Sequence, residues 1–177
     1  MKMPEQIETE RLVLRKPRME DARAIFDGWT QDQDVTRYLT WPPHERIEQA
    51  QEFVQGCIRA WRGETRFPYM ITLKENGQVI GMIDPRIEGS KVGIGYGAAR
   101  AHWGKGYVPE ATRALIDWAF QQPSIYRAYA TTDVENIASR RVLEKVGMQC
   151  EGILHKYILH PNVSDIPRDS YMYAITK

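Results

Sequence analysis

"AHWGKGYVPEATRALIDWAF", residues 101–120, places Gly104 and Gly106 directly before an amphipathic helix. Pro109 suits the first helical turn, where its missing N–H costs no hydrogen bond. Ala111, Ala114, Leu115, Trp118 and Ala119 then share one face at helical spacing. The N–H groups of residues 104–108 have no acceptor inside such a helix. Gly104 and Gly106 let that backbone fold tightly and approach a ligand with no Cβ in the way. Converging N–H groups at a helix start favour an anion, helped by the helix dipole at about 0.3–1 kcal/mol for a surface site. The plainer reading is a glycine-rich turn before an ordinary helix. His102 beside it either steadies a phosphate or faces water.

The residues limit which anion. A Walker A loop needs Ser or Thr after Gly-Lys, and Gly106 stands there. A dinucleotide fingerprint needs Gly or Ala at its sixth position, which Pro109 occupies. A diphosphate held mostly by backbone amides remains.

Around this stretch the chain reads as one domain. Its 177 residues are enough to bury a core, and its net charge of +1 gives no polyanion footprint, so no nucleic-acid partner is expected. No apolar run is long enough to span a bilayer, and the start, "MKMPEQIETERLVLR", has no signal core. A cytoplasmic location away from membranes is the expectation. Cys57 and Cys150 lack partners at metal-ligand spacing, so no metal is expected, and Cys57 falls on an apolar helical stripe as a buried thiol.

Residues 11–17, "RLVLRKP", alternate and stop at proline, which predicts a strand. "MEDARAIFDGW" puts Ala22, Ile25, Phe26 and Trp29 on one helical face, and "WPP" (residues 41–43) interrupts it. A second helix runs from about His44 through Ile47, Ala50, Val54, Cys57, Ile58 and Trp61. Two apolar runs flank Asn76-Gly77, a strong hairpin signal. "KVGIGYGA" (residues 91–98) is a glycine-rich strand, and the opening helix follows it. A strand at "RAYATTDV" (127–134) leads to a helix capped by Asn136 and closed by Gly147. Two more strands, "GILHKYILH" and "DSYMYAIT", end the chain. Segregated helices with a mostly antiparallel sheet argue for an α+β, or mixed α/β, fold.

"TDVENIASRRVLEKVGMQCEG" together with "WGKGYVPEA" resembles the GNAT superfamily of N-acetyltransferases, in the branch of ribosomal-protein N-terminal acetyltransferases (RimJ/RimL-like). "ETERLVLRKPRMEDA" and "YLTWPP" extend the resemblance over nearly the whole chain. It implies a V-splayed sheet of about six or seven strands with about four helices. It also implies acetyl-CoA as cosubstrate. The loop Gly104, Lys105, Gly106, Tyr107 and Val108, with Trp103 before it, would wrap the pyrophosphate. Ala98 ends the strand that parts from "RAYATTDV" to admit pantetheine. Asn136 would meet the pantetheine arm and Ser139 the leaving thiolate.

The departures are equally specific. Ala101 stands at the signature's first position, with Arg100 one place early; Leu143 stands where many relatives carry an acidic tyrosine; Gly93 stands where a carboxylate is frequent. Glu88, Glu135 and Glu151 are base candidates by position, each with a solvated-surface alternative. Tyr38 and Trp41 would wall the acceptor pocket, or else Trp41 closes a rigid connection on the core. Ser139 and Asn136 also fit as satisfiers of the helix start alone.

The reaction that the resemblance implies is direct attack of an amine on the thioester. Holding both reactants together can supply up to about 7–11 kcal/mol, and a strand N–H on the thioester oxygen roughly 3 kcal/mol. An α-amine, with pKa near about 8, needs less help losing its proton than a lysine near about 10.4. With no obvious base, a protein or peptide α-amine is the expected acceptor. A small-molecule amine, a non-catalytic acyl-CoA sensor and an ATP-binding protein are the rivals. A monomer and a homodimer both fit.

Overall fold

The computed structural model describes residues 2–177. Its strands are β1 (Gln6–Glu8), β2 (Leu12–Arg15), β3 (Tyr69–Leu73), β4 (Val79–Glu88), β5 (Lys91–Ala98), β6 (Arg127–Asp133), β7 (Gln149–Ile158) and β8 (Arg168–Thr176). Its α-helices are α1 (Asp21–Ile25), α2 (Gln33–Thr36), α3 (Ile47–Ala60), α4 (Tyr107–Gln121) and α5 (Ile137–Lys145). The strands form one sheet in the order β1-β2-β3-β4-β5-β6-β8-β7, antiparallel at every step except β5–β6. Among the described residues, no helix is long and apolar enough to cross a membrane.

Strand alternation explains why helices cover both faces. Ile71 and Ile83 point to the side carrying Leu115, Ile116, Leu143 and Val146 of α4 and α5. Their neighbours Met70 and Met82 point to the other side, against Ile25, Val54 and Cys57 of α1 and α3. Val92 and Ile94 belong to the first face. Gly93, Gly95 and Gly97 therefore turn to the second face and leave β5 without side chains there beyond Lys91.

The mixed α/β class stands, but the sheet has eight strands rather than six or seven. The additional strand is β1, three residues long, of which only Ile7 packs on the core. The first helix is also shorter than its apolar spacing predicts. α1 gives way to a π-helical turn, Phe26–Thr30, before the separate short α2. Gly28 lies in that turn, where its low helix propensity weakens an α continuation. The second helix starts at Ile47 rather than near His44, with the Gln49 side chain accepting from the N–H groups of Glu45 and Arg46.

β4 and β5 approach so closely that a Cβ on Gly81 would lie 2.3 Å from the Gly97 carbonyl oxygen. Gly81→Val is therefore expected to cost at least about 1–3 kcal/mol through overpacking. A urea midpoint unchanged from wild type would contradict this contact.

Candidate active site

β5 and β6 share a ladder only from Lys91 to Gly93, opposite Arg127 to Tyr129. Beyond that rung β5 continues to Ala98 beside β4, while β6 continues to Asp133 beside β8. A wedge thus opens between residues 94–98 and 130–133. At its closed end a Cβ on Gly93 would lie 2.9 Å from the Tyr129 ring and hydroxyl. Tyr129 fills the space a carboxylate at position 93 would need. Burial and the neighbouring Glu88 push its phenol up to about 12.

At the open end the chain leaves β5 through a 3-10 turn, Arg100–His102. The Trp103 indole donates back to the Ala98 carbonyl at 2.8 Å and fixes the corner. Gly104 and Gly106 follow at φ of 73° and 81°, left-handed conformations that favour glycine. The first helical bond runs from Glu110 N–H to the Gly106 carbonyl. Among the described residues, no protein acceptor meets the N–H groups of Gly104, Lys105, Gly106, Tyr107 or Val108. They sit at the positive end of a fifteen-residue helix. Lys105 is exposed and, among the described residues, has no ion-pair partner. Arg100 points elsewhere, to Asp32 at 3.1 Å and Asp34 at 2.5 Å.

This mouth is tied to the N-terminal hairpin. Glu110 accepts from the Thr9 hydroxyl at 2.6 Å, the Arg11 N–H at 2.9 Å and the Arg11 Nε at 2.7 Å. The same guanidinium donates to the Lys105 carbonyl at 3.0 Å and lies 4.6 Å over the Tyr107 ring. Burial alone would raise the Glu110 pKa, but these donors together hold it below the ordinary carboxylate value.

α5 forms the other side of the wedge. Arg168 holds Asp133 through two bonds, of 2.6 and 3.1 Å, and the Asp133 carbonyl accepts from Asn136 N–H. Asn136 caps α5, its side-chain oxygen accepting from Ser139 N–H at 3.1 Å. Ser139 therefore is satisfied by the cap rather than acting as one. Its hydroxyl instead meets the Tyr96 hydroxyl at 2.9 Å. Tyr96 lies in the wedge and was not among the residues singled out from sequence; only its partnership with Ser139, 43 residues away, marks it.

The structure brings together Ala98, Trp103, residues 104–108, Asn136 and Ser139 around this wedge. It does not bring Glu88 there. Glu88 is exposed at the closed end, 3.8 Å from Lys91, because β4 has already passed the wedge when it reaches that residue. The exposed Glu135 pairs with the part-buried Arg168 at 2.8 Å, and Glu151 pairs with the part-buried Arg127 at 2.8 Å. Tyr38 meets the buried His160 edge-on at 6.1 Å. Trp41 stacks on His44 at 4.8 Å and packs on Phe53 and Trp29, so much of its ring serves the core. Asn162 was not anticipated. It donates to the carbonyls of Thr36 and Trp41 and binds the β7–β8 connection to the segment after α2.

A mostly antiparallel sheet that parts between its two parallel strands, beside a helix mouth of free amides, suits an elongated ligand with an anionic end. The chain belongs to the GNAT acetyltransferases: the family model "Acetyltransferase (GNAT) domain" matches residues 11–149. It is therefore an acetyl-CoA-dependent acyltransferase. It is 34% identical over 98% of its length to an uncharacterized N-acetyltransferase, p20, of Bacillus licheniformis, 97% of which is covered. Mycobacterium smegmatis RimJ, solved with CoA-disulfide, aligns with a TM-score of 0.81 and 26% identity, over 93% of this chain and 81% of that one. An acetyltransferase from Salmonella typhimurium, described as modifying the N-terminal serine of ribosomal protein L7/L12, aligns with a TM-score of 0.85 over 98% and 99% of the chains. At 21% identity that last likeness shows the fold alone.

The depressed Glu110 pKa has a sign that can be checked. A carboxylate whose folded pKa is lowered stabilises fully above the unfolded value, about 4.3, and loses that contribution as pH falls through the folded value. The melting-temperature gap between wild type and Glu110→Gln is expected to be widest near neutral pH and to shrink toward about pH 3. A gap independent of pH would show that the carboxylate's charge does not hold the helix mouth.

Proposed function

We propose that this acetyltransferase acts on the α-amine of a peptide or protein, and that it holds acetyl-CoA through the wedge and the α4 mouth. The observation that carries this reading is the run of five unpaired N–H groups, residues 104–108, beside a gap between strands. A diphosphate satisfies such donors, and Lys105 adds a charge at the same corner. The pantetheine arm would lie between residues 94–98 and 130–133, where β5 has an unladdered edge to offer it hydrogen bonds. Asn136 keeps its amide nitrogen for that arm, since only its oxygen serves as the cap. Trp103 and Ala98 contribute the corner rather than charge.

The acceptor reaches the thioester from the second face of the sheet. There Gly95 and Gly97 carry no side chain, and the space a Cβ of Gly95 would take has nothing within 4 Å. One wall is Trp29, 3.9 Å from the Cβ position of Gly97. Tyr38, edge-on to His160, is assigned as a second wall of that approach. Of the base candidates taken from sequence, Glu88 lies at the closed end, and Glu135 and Glu151 are engaged with Arg168 and Arg127. An α-amine suits such a site because its deprotonation near neutral pH costs about 1 kcal/mol, against roughly 4–5 kcal/mol for a lysine. The ribosomal-protein acetyltransferase with the same fold agrees with this acceptor class.

Release of free thiol from acetyl-CoA, followed across a panel of amines, tests the reading. Peptides with a free α-amine are expected to turn over, and the same peptides blocked at that amine but carrying lysine are not. Turnover confined to polyamines or amino acids would move the acceptor to small molecules. Tight binding with no acceptor-dependent thiol would mark a sensor. Gly106→Val, forced into φ near 81°, is expected to weaken CoA binding by calorimetry at least about tenfold. Unchanged affinity in a folded variant would remove the loop assignment.

A further inference from the structure

Tyr96 lies on β5 three residues beyond the last β5–β6 rung, and its ring packs at the margin of the α4–α5 core. Its hydroxyl crosses to the first turn of α5, 2.9 Å from the Ser139 Oγ and 3.2 Å from the Ser139 carbonyl. Among the described residues, the Ser139 hydroxyl has no other partner, and the Ser139 N–H is already taken by Asn136. Burial pushes the Tyr96 phenol well above its ordinary pKa, while its hydrogen bond with Ser139 opposes that shift, so it keeps its proton across the working range. A phenol that always carries a proton is a standing donor. If that proton goes to the Ser139 Oγ, the serine's own O–H is left free to point into the wedge. Leu143, one turn along α5, is fully buried and offers no polar group to compete.

We propose that Tyr96 is a positioning residue for Ser139, setting a Tyr96-to-Ser139 hydrogen-bond chain whose last proton is presented to the sulfur that leaves during acyl transfer. This role rests on the acetyl-transfer reading above. As the acceptor nitrogen bonds to the thioester carbonyl carbon, the C–S bond breaks and its electron pair leaves on sulfur. The Ser139 O–H bonds to that charge, and the charge-assisted bond is shortened further by the donor behind it. The proton that the new amide nitrogen sheds ends on sulfur. The products are an amide and a free thiol, and both hydroxyls finish as they began. Tyr96 itself never ionises.

The test compares wild type, Tyr96→Phe, Ser139→Ala and the double variant, with kcat, KM for acetyl-CoA, CoA affinity by calorimetry and melting temperature read separately. Tyr96→Phe is expected to keep its melting temperature, CoA affinity and KM while kcat falls roughly tenfold or more. Ser139→Ala should fall at least as far, and the double variant no further, because the two hydroxyls act as one unit. Tyr96→Met, which fills the site without a hydroxyl, is expected to repeat the kcat loss. An active wild type whose Tyr96→Phe and Tyr96→Met forms match it in kcat overturns the role of Tyr96 alone. Losses that multiply in the double variant overturn it too, since they would show independent effects. A wild type that releases no thiol with any amine overturns acetyl transfer and this role together.

Discussion

Backbone polar groups are left without protein partners where this chain would most easily have paired them. A parallel ladder between β5 and β6 begins normally at Lys91 and stops at Gly93, although both strands continue. Unpaired main-chain groups in a partly buried place are costly unless something else satisfies them. The same corner adds a second set, the N–H groups of residues 104–108 at the start of α4. The two sets lie on one continuous segment, with β5 leading through the turn at 100–102 into α4. On the proposed reading, a ligand that is polar along its length and doubly charged at one end would complete them. The acetyl-CoA dependence of the family and the backbone of this chain thus agree on one physical ground.

Holding that arrangement open requires bracing, and the bracing comes from distant parts of the sequence. Glu110 anchors the first turn of α4 to Thr9 and Arg11, about a hundred positions earlier in the chain. Asp133 and Arg168 fix the turn from β6 into α5 and thereby the cap that orients Ser139. Asn162 links the last loop to the segment around Trp41. None of these braces carries chemistry. Glu110 and Asp133 each gather several donors, two of them from one guanidinium in the case of Asp133, and such charge-assisted bonds hold distant segments in fixed geometry.

Local signals were legible in the sequence, and long-range ones were not. The Asn76-Gly77 hairpin, the glycine mouth of α4 and the Asn136 cap are each decided within a few residues, and the structure has all three. β1 was not legible because three residues with one buried side chain make no pattern. The π-helical turn after Ile25 escaped because apolar spacing cannot separate a slightly wider helix from an ordinary one. In the site, Arg100, one place early for the family signature, is held by Asp32 and Asp34, partners that lie far from it in sequence. Glu88 looked close to the chemistry because it is close in sequence to Lys91 and Gly93, yet strand geometry carries it to the closed end of the wedge. Tyr96 was hidden because its significance depends wholly on a partner in another element.

The claim on which the rest depends is that the main-chain N–H groups of residues 104–108 grip a diphosphate. Amide chemical shifts of isotope-labelled protein, titrated in parallel with CoA and with pantetheine, test it most directly. CoA is expected to move the amides of Gly104, Lys105, Gly106, Tyr107 and Val108 more than any others, and pantetheine, which lacks the diphosphate, to leave them in place. CoA binding that leaves those five amides unmoved while shifting another part of the chain would contradict it.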